Sequence, residues 1–322
     1  MVWFIAGVLT FLVLGVWWSL TQPLVFAATP RSEVAKVDPA RLEAHVRKLA
    51  VELHPRDFIH RENLDAAAAW ITTEFEAAGA RVSEQVFAVD EGTYRNVIAV
   101  FGPEEGPRVV VGAHYDTAGE QPGADDNASG VAGLLELAHA LGRTKDLLKK
   151  RVELVAWTLE EPPHFRTKHM GSWHHADSLK KANVEIDAMI SLEMLGYFSD
   201  EPGSQQFPSV CLKPFYPNKG NFIAVIGLMG KGSLTRKIKG AMKGASDLPV
   251  RSMNGLRAIP GVDFSDQLNY WDRGYRGVMI TDSAFFRNPN YHEVTDTPET
   301  LDYLRFAKVV QGVHQAVLAL AE

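Results

Sequence analysis

Short apolar runs rich in β-branched residues alternate with helical stretches along most of this chain, and the alternation restricts the possible folds more than any other feature. The runs 109–113 and 152–158 are almost wholly apolar, as expected of strands buried on both faces of a sheet. Further predicted strands cover residues 81–89, 95–101, 188–193, 222–228 and 277–281, and predicted helices cover residues 39–53, 62–78, 129–141, 171–182, 234–242 and 298–321. This order predicts an α/β fold, in which a mixed, mostly parallel central sheet carries helices on both faces.

Composition limits the classes of partner and of metal site. The chain has 322 residues and a formal net charge of −6, with acidic and basic residues interspersed. It therefore lacks the basic stripe of a nucleic-acid-binding protein. Cys211 is the only cysteine, which excludes an intrachain disulfide and any zinc site built on several cysteines. A metal must be held by His, Asp and Glu.

The amino terminus is apolar and uncharged from Val2 to Trp18, which predicts a membrane-targeting segment. The predicted divisions are a signal or anchor segment at 1–28, a polar linker at 29–37 and one domain at 38–322. We favour an uncleaved anchor because the basic start of a signal peptide is missing, although small residues precede Ala28. Long domains cross membranes largely regardless of flanking charge, so we expect an exported, extracytoplasmic domain. A secreted or periplasmic protein after cleavage is the alternative.

A histidine and an aspartate follow the most apolar strand. His114 and Asp116 lie just past residues 109–113, and side-chain alternation sends both to the same side. His114 could bind a metal while Asp116 accepts the other ring N–H and orients the imidazole. A hydrogen-bonded surface pair is the alternative, and this motif alone does not decide between them.

Acidic side chains also stand at a helix start and at a strand exit. Asp125 and Asp126 precede the helix at 129–141, where capping and the helix dipole explain one acid better than two. Glu160 and Glu161 follow the strand at 152–158, and the prolines after them keep the pair extended. Adjacent side chains then diverge, so one carboxylate could bind a metal while the other acts as general base. Two solvated glutamates are the alternative.

Two later positions could complete a site. Glu193 ends the apolar strand at 188–193, where a buried acid needs a positive partner that a metal would supply. His292 follows Tyr291 in a polar loop near the carboxyl terminus. A loop histidine is more often without a metal, but here it offers the second imidazole that a two-metal site requires.

Together these residues resemble the co-catalytic di-zinc aminopeptidase family, which also contains glutaminyl cyclases and glutamate carboxypeptidase. The resemblance spans about residues 95–320 and implies the zinc-exopeptidase fold, a three-layer sandwich. It rests on five motifs in the family's order: His114-Tyr115-Asp116, Gly-Ala-Asp-Asp-Asn-Ala-Ser-Gly at 123–130, Glu-Glu-Pro-Pro at 160–163 with Met-Gly-Ser at 170–172, Ser-Leu-Glu-Met-Leu-Gly-Tyr at 191–197, and Tyr291-His292 with Asp-Thr-Pro-Glu-Thr at 296–300. Five ordered motifs are far more specific than any one of them.

The resemblance implies two zinc ions per chain, bridged by Asp126. One zinc would be held by His114 and Glu193, and the other by Glu161 and His292. Zinc would polarise the scissile carbonyl and activate water.

The resemblance also implies roles for three further side chains. Glu160 would be the general base, Asp116 the partner of His114, and Tyr291 a donor to the oxyanion. The implied substrates are peptides with a free N terminus, whose ammonium group the carboxylates at the rim would receive.

Two positions depart from the family pattern. Glu193 stands where better-known members carry Asp, and the extra methylene alters the reach of the ligand. Gln267 in Ser265-Asp266-Gln267 replaces the usual His. That His is not a ligand in the family, so the change bears on packing or substrate selectivity near Gln267.

The expected function is therefore a metal-dependent exopeptidase, an aminopeptidase in the first instance. Carboxypeptidase action or glutaminyl cyclisation on the same scaffold is the first alternative, and a non-catalytic receptor or scaffold is the second. The family's cyclases use one zinc, so a full set of five ligands argues against cyclisation. Loss of ligands would mark a non-catalytic relative, and none is lost.

Overall fold

The computed structural model describes residues 14–322 of the chain. Its eight strands are β1 Arg81–Val89, β2 Gly92–Phe101, β3 Arg108–His114, β4 Arg151–Trp157, β5 Ile186–Glu193, β6 Ile223–Leu228, β7 Val250–Gly255 and β8 Gly277–Thr281. Its α-helices beyond residue 38 are α1 Pro39–Arg47, α2 Arg61–Ala77, α3 Gly130–Thr144, α4 Gly171–Lys181, α5 Gly232–Ala245, α6 Gln267–Trp271 and α7 Tyr303–Leu320. Residues 14–21 are helical as well.

All eight strands form one sheet in the order β1-β2-β4-β3-β5-β8-β6-β7. The four central strands, β4, β3, β5 and β8, run parallel to one another. β6 and β7 are parallel to each other, whereas the β1–β2, β2–β4 and β6–β8 pairs are antiparallel. The predicted mixed, mostly parallel sheet is therefore confirmed.

Side-chain alternation divides the core into two layers. Val109 and Val111 of β3 pack into the larger core, with apolar residues of α1, α2, α3, α5 and α7. Val110 points to the opposite face, where Ala176 and Leu179 of α4 and Tyr270 of α6 cover the sheet. Helices on both faces make the predicted three layers, and strands buried on both faces explain the nearly continuous apolar runs.

The structure differs from the predicted elements in two places. β7 and α6 were not predicted, because β7 is a short edge strand with polar residues and an exposed Arg251 and α6 is only five residues long. The last helix begins at Tyr303 and not at residue 298. Pro298–Thr300 form a separate 3₁₀ turn, and the side chain of Asp302 caps α7 by accepting a hydrogen bond from the backbone N–H of Arg305.

The amino-terminal prediction is only partly covered, because residues 1–13 lie outside the described part of the chain. Within residues 14–322, no helix is long and apolar enough to cross a membrane. The region predicted as a linker packs on the domain at its start, where the backbone N–H of Arg31 donates to Gln315 Oε1 on α7 at 2.7 Å. The divisions at residues 28 and 37 stay predictions.

Candidate metal centre

The central parallel strands bring the predicted site residues to one edge of the sheet. His114 ends β3 and Glu193 ends β5, while Glu160 and Glu161 follow β4 and His292 follows β8. Because the carboxyl ends of parallel strands share an edge, residues far apart in the chain converge there.

Two groups of donor atoms share one aspartate. His114 Nε2 lies 3.5 Å from Asp126 Oδ1 and 3.4 Å from Glu193 Oε2. His292 Nε2 lies 3.1 Å from Asp126 Oδ2 and 3.4 Å from Glu161 Oε2. Each group could hold a metal ion, and the two oxygens of Asp126 face different groups. All five predicted ligands are therefore brought together.

The other predicted site residues surround these groups. Glu160 Oε2 lies 3.9 Å from His114 Nε2 and belongs to neither group that contains Asp126. The Nδ1 atom of His114 lies 3.2 Å from the backbone oxygen of Asp116 and 3.5 Å from its carboxylate. The ring of Tyr291 stacks on His292 with 3.9 Å between centroids. Asp116 is thus placed to orient His114, by its backbone as much as by its side chain.

The centre holds more buried negative charge than its side chains neutralise. Burial raises the pKa of Glu160 well above its usual value, and burial together with Asp126 raises the pKa of Glu161 to about 7. Burial disfavours the charged form of His292, but Asp126 and Glu161 outweigh it and raise the pKa of His292 to about 10. The acids thus favour the protonated form of His292, and a metal ion would take over the role of that positive charge.

The donor chemistry fits zinc. Imidazole nitrogens and carboxylate oxygens are the ligands zinc takes where cysteine is absent. His114 Nε2, His292 Nε2 and Glu161 Oε1 are buried atoms without a hydrogen-bond partner anywhere in residues 14–322. Buried polar atoms are normally paired, so these atoms are suited to a ligand that the chain itself does not supply.

Two residues that sequence reasoning left without a role hold the donor residues in place. Both carboxylate oxygens of Asp296 accept hydrogen bonds from the backbone N–H of Asp125, and Oδ2 also accepts from that of Asp126 at 3.0 Å. Ser265 Oγ donates to Glu193 Oε2 at 2.7 Å. Asp296 lies in the Asp-Thr-Pro-Glu-Thr motif, and Ser265 lies in the Ser-Asp-Gln segment that departs from the family pattern. Those positions were the only sequence signal for their roles.

Arg56 is a third supporting residue, and no motif marked it. Its fully buried guanidinium donates to the backbone oxygens of Tyr115 (2.9 Å), Pro122 (3.1 Å) and Gly123 (3.1 Å). It thereby ties together the two ends of the connection between β3 and the segment that carries Asp126. Burial lowers the pKa of Arg56 to about 10, against the attraction of nearby acids.

Three non-glycine residues at the centre have strained backbones. Leu159 (φ 57°), Met194 (φ 48°) and His292 (φ 59°) are non-glycine residues in the left-handed region. Leu159 precedes Glu160, and Met194 follows Glu193. His292 belongs to the donor group that it forms with Asp126 and Glu161. Such conformations cost of order 1–3 kcal/mol each and cluster at functional sites.

An apolar cavity opens beside the donor groups, with an empty volume of about 1210 Å³ that includes open solvent. Four cavity-lining residues are neighbours on adjacent strands of the sheet: Glu193 on β5, Thr281 on β8, Ala224 on β6 and Arg251 on β7. This row of residues forms the floor of the cavity. Its apolar wall includes Phe207, Leu212, Phe222, Ile226, Met279 and Phe286. A group that starts at the metal centre can therefore extend over an apolar surface.

The two departures from the family pattern have structural outcomes. Glu193 reaches the first donor group, so its longer side chain is accommodated. Gln267 is buried at the start of α6 and its Nε2 donates to the backbone oxygen of Val262 at 3.1 Å. Val262 packs in the core beneath the cavity, so Gln267 acts on the packing of the cavity wall.

The layered α/β sheet thus carries at its carboxyl edge two donor groups that share Asp126, an arrangement that could hold two metal ions. The model of the family described as Peptidase family M28 matches residues 96–317. The chain belongs to this peptidase family, which makes it a zinc metallopeptidase and confirms the resemblance.

Two curated relatives illustrate the range of similarity. Uncharacterized protein YfbL of Escherichia coli K12 is 45% identical over 302 residues, covering 91% of each chain. The probable lipoprotein aminopeptidase LpqL of Mycobacterium tuberculosis is 28% identical over 251 residues, and the match covers 70% of this chain and 44% of that protein.

Solved structures agree on the fold. BSAP, a zinc aminopeptidase from Bacillus subtilis, has a TM-score of 0.70 at 15% identity, covering 89% of this chain and 95% of its own. A glutaminyl cyclase from Bacteroides thetaiotaomicron has a TM-score of 0.66 at 18% identity, covering 88% and 99%. At these identities the likeness establishes the fold alone.

Proposed function

We propose that this chain is a di-zinc aminopeptidase that removes apolar residues from the N terminus of peptides. The observation that carries the proposal is the sharing of Asp126, whose two oxygens face different imidazoles. A single-metal enzyme has no use for the second donor group, formed by Asp126, Glu161 and His292. This group therefore favours peptide hydrolysis over the cyclisation performed by the structural relative.

Two zinc ions are assigned to the five converging residues. His114 and Glu193 would hold one ion, Glu161 and His292 the other, and Asp126 both. Bound zinc supplies Lewis-acid polarisation of the scissile carbonyl and lowers the pKa of water.

Glu160 moves the proton in this proposal. Its carboxylate lines the cavity and belongs to neither donor group that contains Asp126, although with His114 and Glu161 it forms a third possible group. Burial raises its pKa well above the usual value, which brings it closer to the pH at which a general base works well. Glu160 accepts the proton that the attacking water loses and returns it to the leaving amine.

The rest of the site selects the end of the peptide. The clustered carboxylates attract the ammonium group of a free N terminus. The side chain of the first residue then extends into the cavity, where Phe207, Phe222 and Met279 offer an apolar surface. Burying an apolar side chain there stabilises the complex by roughly 1.5–3 kcal/mol.

Glu160→Gln, with the exposed Glu105→Gln as matched control, tests the proposal. We expect two zinc ions per chain by mass spectrometry in the wild type and both variants. With leucyl and phenylalanyl anilides, kcat/KM should fall about 10²–10⁴-fold in Glu160→Gln alone. Chelation should abolish hydrolysis in the wild type and restored zinc should recover it.

Three outcomes would contradict it. One zinc per chain in the wild type would refute the bridged pair. Loss of zinc from Glu160→Gln would show that Glu160 is a ligand. Cyclisation of N-terminal glutamine without anilide hydrolysis would identify a cyclase.

A further inference from the structure

Residues 19–32, here called the strap, are held on the domain by a continuous set of hydrogen bonds. The side chains of Ser252 and Asn254 on the edge strand β7 donate to the backbone oxygens of Thr21 (2.8 Å) and Ser19 (3.1 Å). On α5, Lys243 Nζ donates to the backbone oxygen of Val25 at 2.6 Å. The strap therefore covers one side of the edge strand and runs along α5.

Lys239 of α5 depends on the strap. Its side chain is buried, with 5% exposed, and its Nζ donates to the backbone oxygens of Thr21 and Gln22 and to Ser252 Oγ, each at 3.0 Å. Removing the strap would leave this ammonium group without two of its three acceptors. A buried charge without partners is costly.

The surface of α5 is also shaped to fit the strap. A Cβ on Gly244 would lie 1.9 Å from the backbone oxygen of Ala28, and a Cβ on Gly232 would lie 2.2 Å from Gln22 Nε2. Glycine at position 244 lets the backbone of the strap approach the helix closely, and glycine at position 232 leaves room for the side chain of Gln22. The strap therefore belongs to the folded domain.

Basic side chains flank the strap. The stretch 229–245, which contains α5, carries five basic residues and no acid, in a chain of net charge −6, and three of the five, Lys231, Arg236 and Lys237, are exposed. Phe26 of the strap lines one cavity with Arg236 and Lys237, both of which are exposed. The nearby acids Asp247 and Glu322 are paired with Lys308 and Arg31, so they leave this positive surface in place.

Exposed apolar side chains lie on the strap and just before it. Leu24 is 60% and Phe26 80% exposed, and Leu14 and Trp18 are about half exposed. The sequence before them, residues 1–13, contains no charged side chain. Apolar side chains beside clustered Lys and Arg fit the interface of an anionic lipid bilayer.

We propose that the strap and the exposed side of α5 form one surface, the strap face, which rests on an anionic lipid bilayer. The strap stays in the mature protein, so no free linker separates the domain from the membrane. The domain is therefore held in a fixed orientation. This inference does not depend on the proposed peptidase reaction.

Lipid contact can be measured with an environment-sensitive fluorophore on the full chain. In a Cys211→Ser background, Ser233→Cys places the probe on α5 and Ser178→Cys places it on α4, on the opposite face of the sheet. In phosphatidylglycerol-containing vesicles we expect a blue shift and about a twofold rise in emission at position 233, and little change at 178. The response should be smaller with phosphatidylcholine vesicles, which lack anionic lipid. It should also be smaller in about 0.5 M salt, which screens the attraction between basic side chains and anionic lipids.

Charge variants test the basic part of the strap face. The measured quantity is the fraction of anionic lipid at which the fluorescence response is half-maximal. The double variant Arg236→Gln/Lys237→Gln should raise this fraction at least about threefold, whereas Lys180→Gln/Lys181→Gln on α4 should leave it unchanged. Equal responses at positions 233 and 178, or no dependence on anionic lipid, would overturn the lipid contact. An intact mass beginning at Ala28 would overturn retention of the strap.

Discussion

Acidic side chains are buried at both the amino ends and the carboxyl ends of β3 and β4, but their charge is neutralised differently at the two ends. At the amino ends, Glu153 is 1% exposed, and its Oε1 accepts hydrogen bonds from Arg108 (2.6 Å) and Arg151 (2.8 Å). At the carboxyl ends, four acids face two imidazoles whose Nε2 atoms have no hydrogen-bond partner in the described chain. Breaking a buried ion pair that the chain itself supplies destabilises the fold, whereas acids without cationic partners in the chain are candidates for binding cations.

The two ends also differ in how their residues are held. Arg108, Arg151 and Glu153 lie on paired strands, so the register alone brings them together. At the other end, Asp126 and His292 come from loops and need support from Asp296 and other residues. Substitutions at the amino end should therefore change stability, and those at the carboxyl end should change zinc binding and activity.

Asp126→Asn should have the largest effect. It weakens the one ligand shared by both donor groups, so zinc content should fall below two per chain and kcat/KM should fall roughly a thousandfold, as expected from losing several kcal/mol of transition-state stabilisation. The fold should persist because Asp296 holds this loop through backbone N–H groups. Metal analysis, anilide hydrolysis and circular dichroism of the same sample measure all three. Two zinc ions and near-normal activity would refute the bridge.

Glu153→Gln should lower stability without affecting catalysis. The substitution keeps the shape of the side chain but leaves Arg108 and Arg151 without their carboxylate, and breaking a buried ion pair costs about 3–5 kcal/mol. The arginine side chains are 19% and 21% exposed, so we expect about 3 kcal/mol in the free energy of unfolding by urea titration. kcat/KM of the folded protein should stay within about twofold.

Glu105→Gln, an exposed control, should change the unfolding free energy by less than about 0.5 kcal/mol. A loss below about 1 kcal/mol in Glu153→Gln, or a selective fall in kcat, would show that the two ends of the strands do not differ as described.

His175 gives the amino end a pH dependence of its own. Burial lowers the pKa of His175 to about 4, Glu153 opposing the shift and Arg108 and Arg151 adding to it. Its Nδ1 lies 2.6 Å from the Tyr270 hydroxyl. The unfolded chain binds this proton below about pH 6.5 and the folded chain only below about 4, so stability should fall as pH drops through that window. His175→Gln should remove up to roughly 3 kcal/mol of this dependence.

Urea titrations of the metal-free wild type and His175→Gln between pH 4 and 7 isolate this contribution, because zinc release then adds nothing to the slope. The two proteins should diverge as the pH falls, the variant losing less stability than the wild type. Parallel curves would mean that His175 does not stay neutral in the folded protein.

Much of the centre could be predicted because of how parallel sheets are built. His114, Glu160, Glu161 and Glu193 lie at strand ends or within four residues of them, and strand ends can be read from apolar runs. Parallel strands then force these positions to one edge. His292 lacks such a signal and was placed by its motif alone.

The supporting residues could not be predicted from local pattern. Asp296 holds the backbone of Asp126 across 170 residues of chain, and Arg56 reaches Pro122 across 66. These contacts follow from strand order and loop paths, which apolar periodicity does not encode. β7 was missed for a related reason, because an edge strand with one exposed side carries no continuous apolar run.

Ser265→Ala should have the smallest effect and tests whether support can be separated from ligation. Ser265 Oγ donates to Glu193 Oε2 at 2.7 Å and lies 2.8 Å from Ser191 Oγ. Without this contact Glu193 loses its fixed orientation, so zinc affinity should fall about 10–100-fold at one of two sites, while kcat at saturating zinc changes little. Competition with a chromophoric chelator measures both affinities, and the exposed Ser233→Ala is the control. An equal loss at both sites would place Glu193 in contact with both ions, and no loss would mean that the carboxylate is oriented by zinc itself.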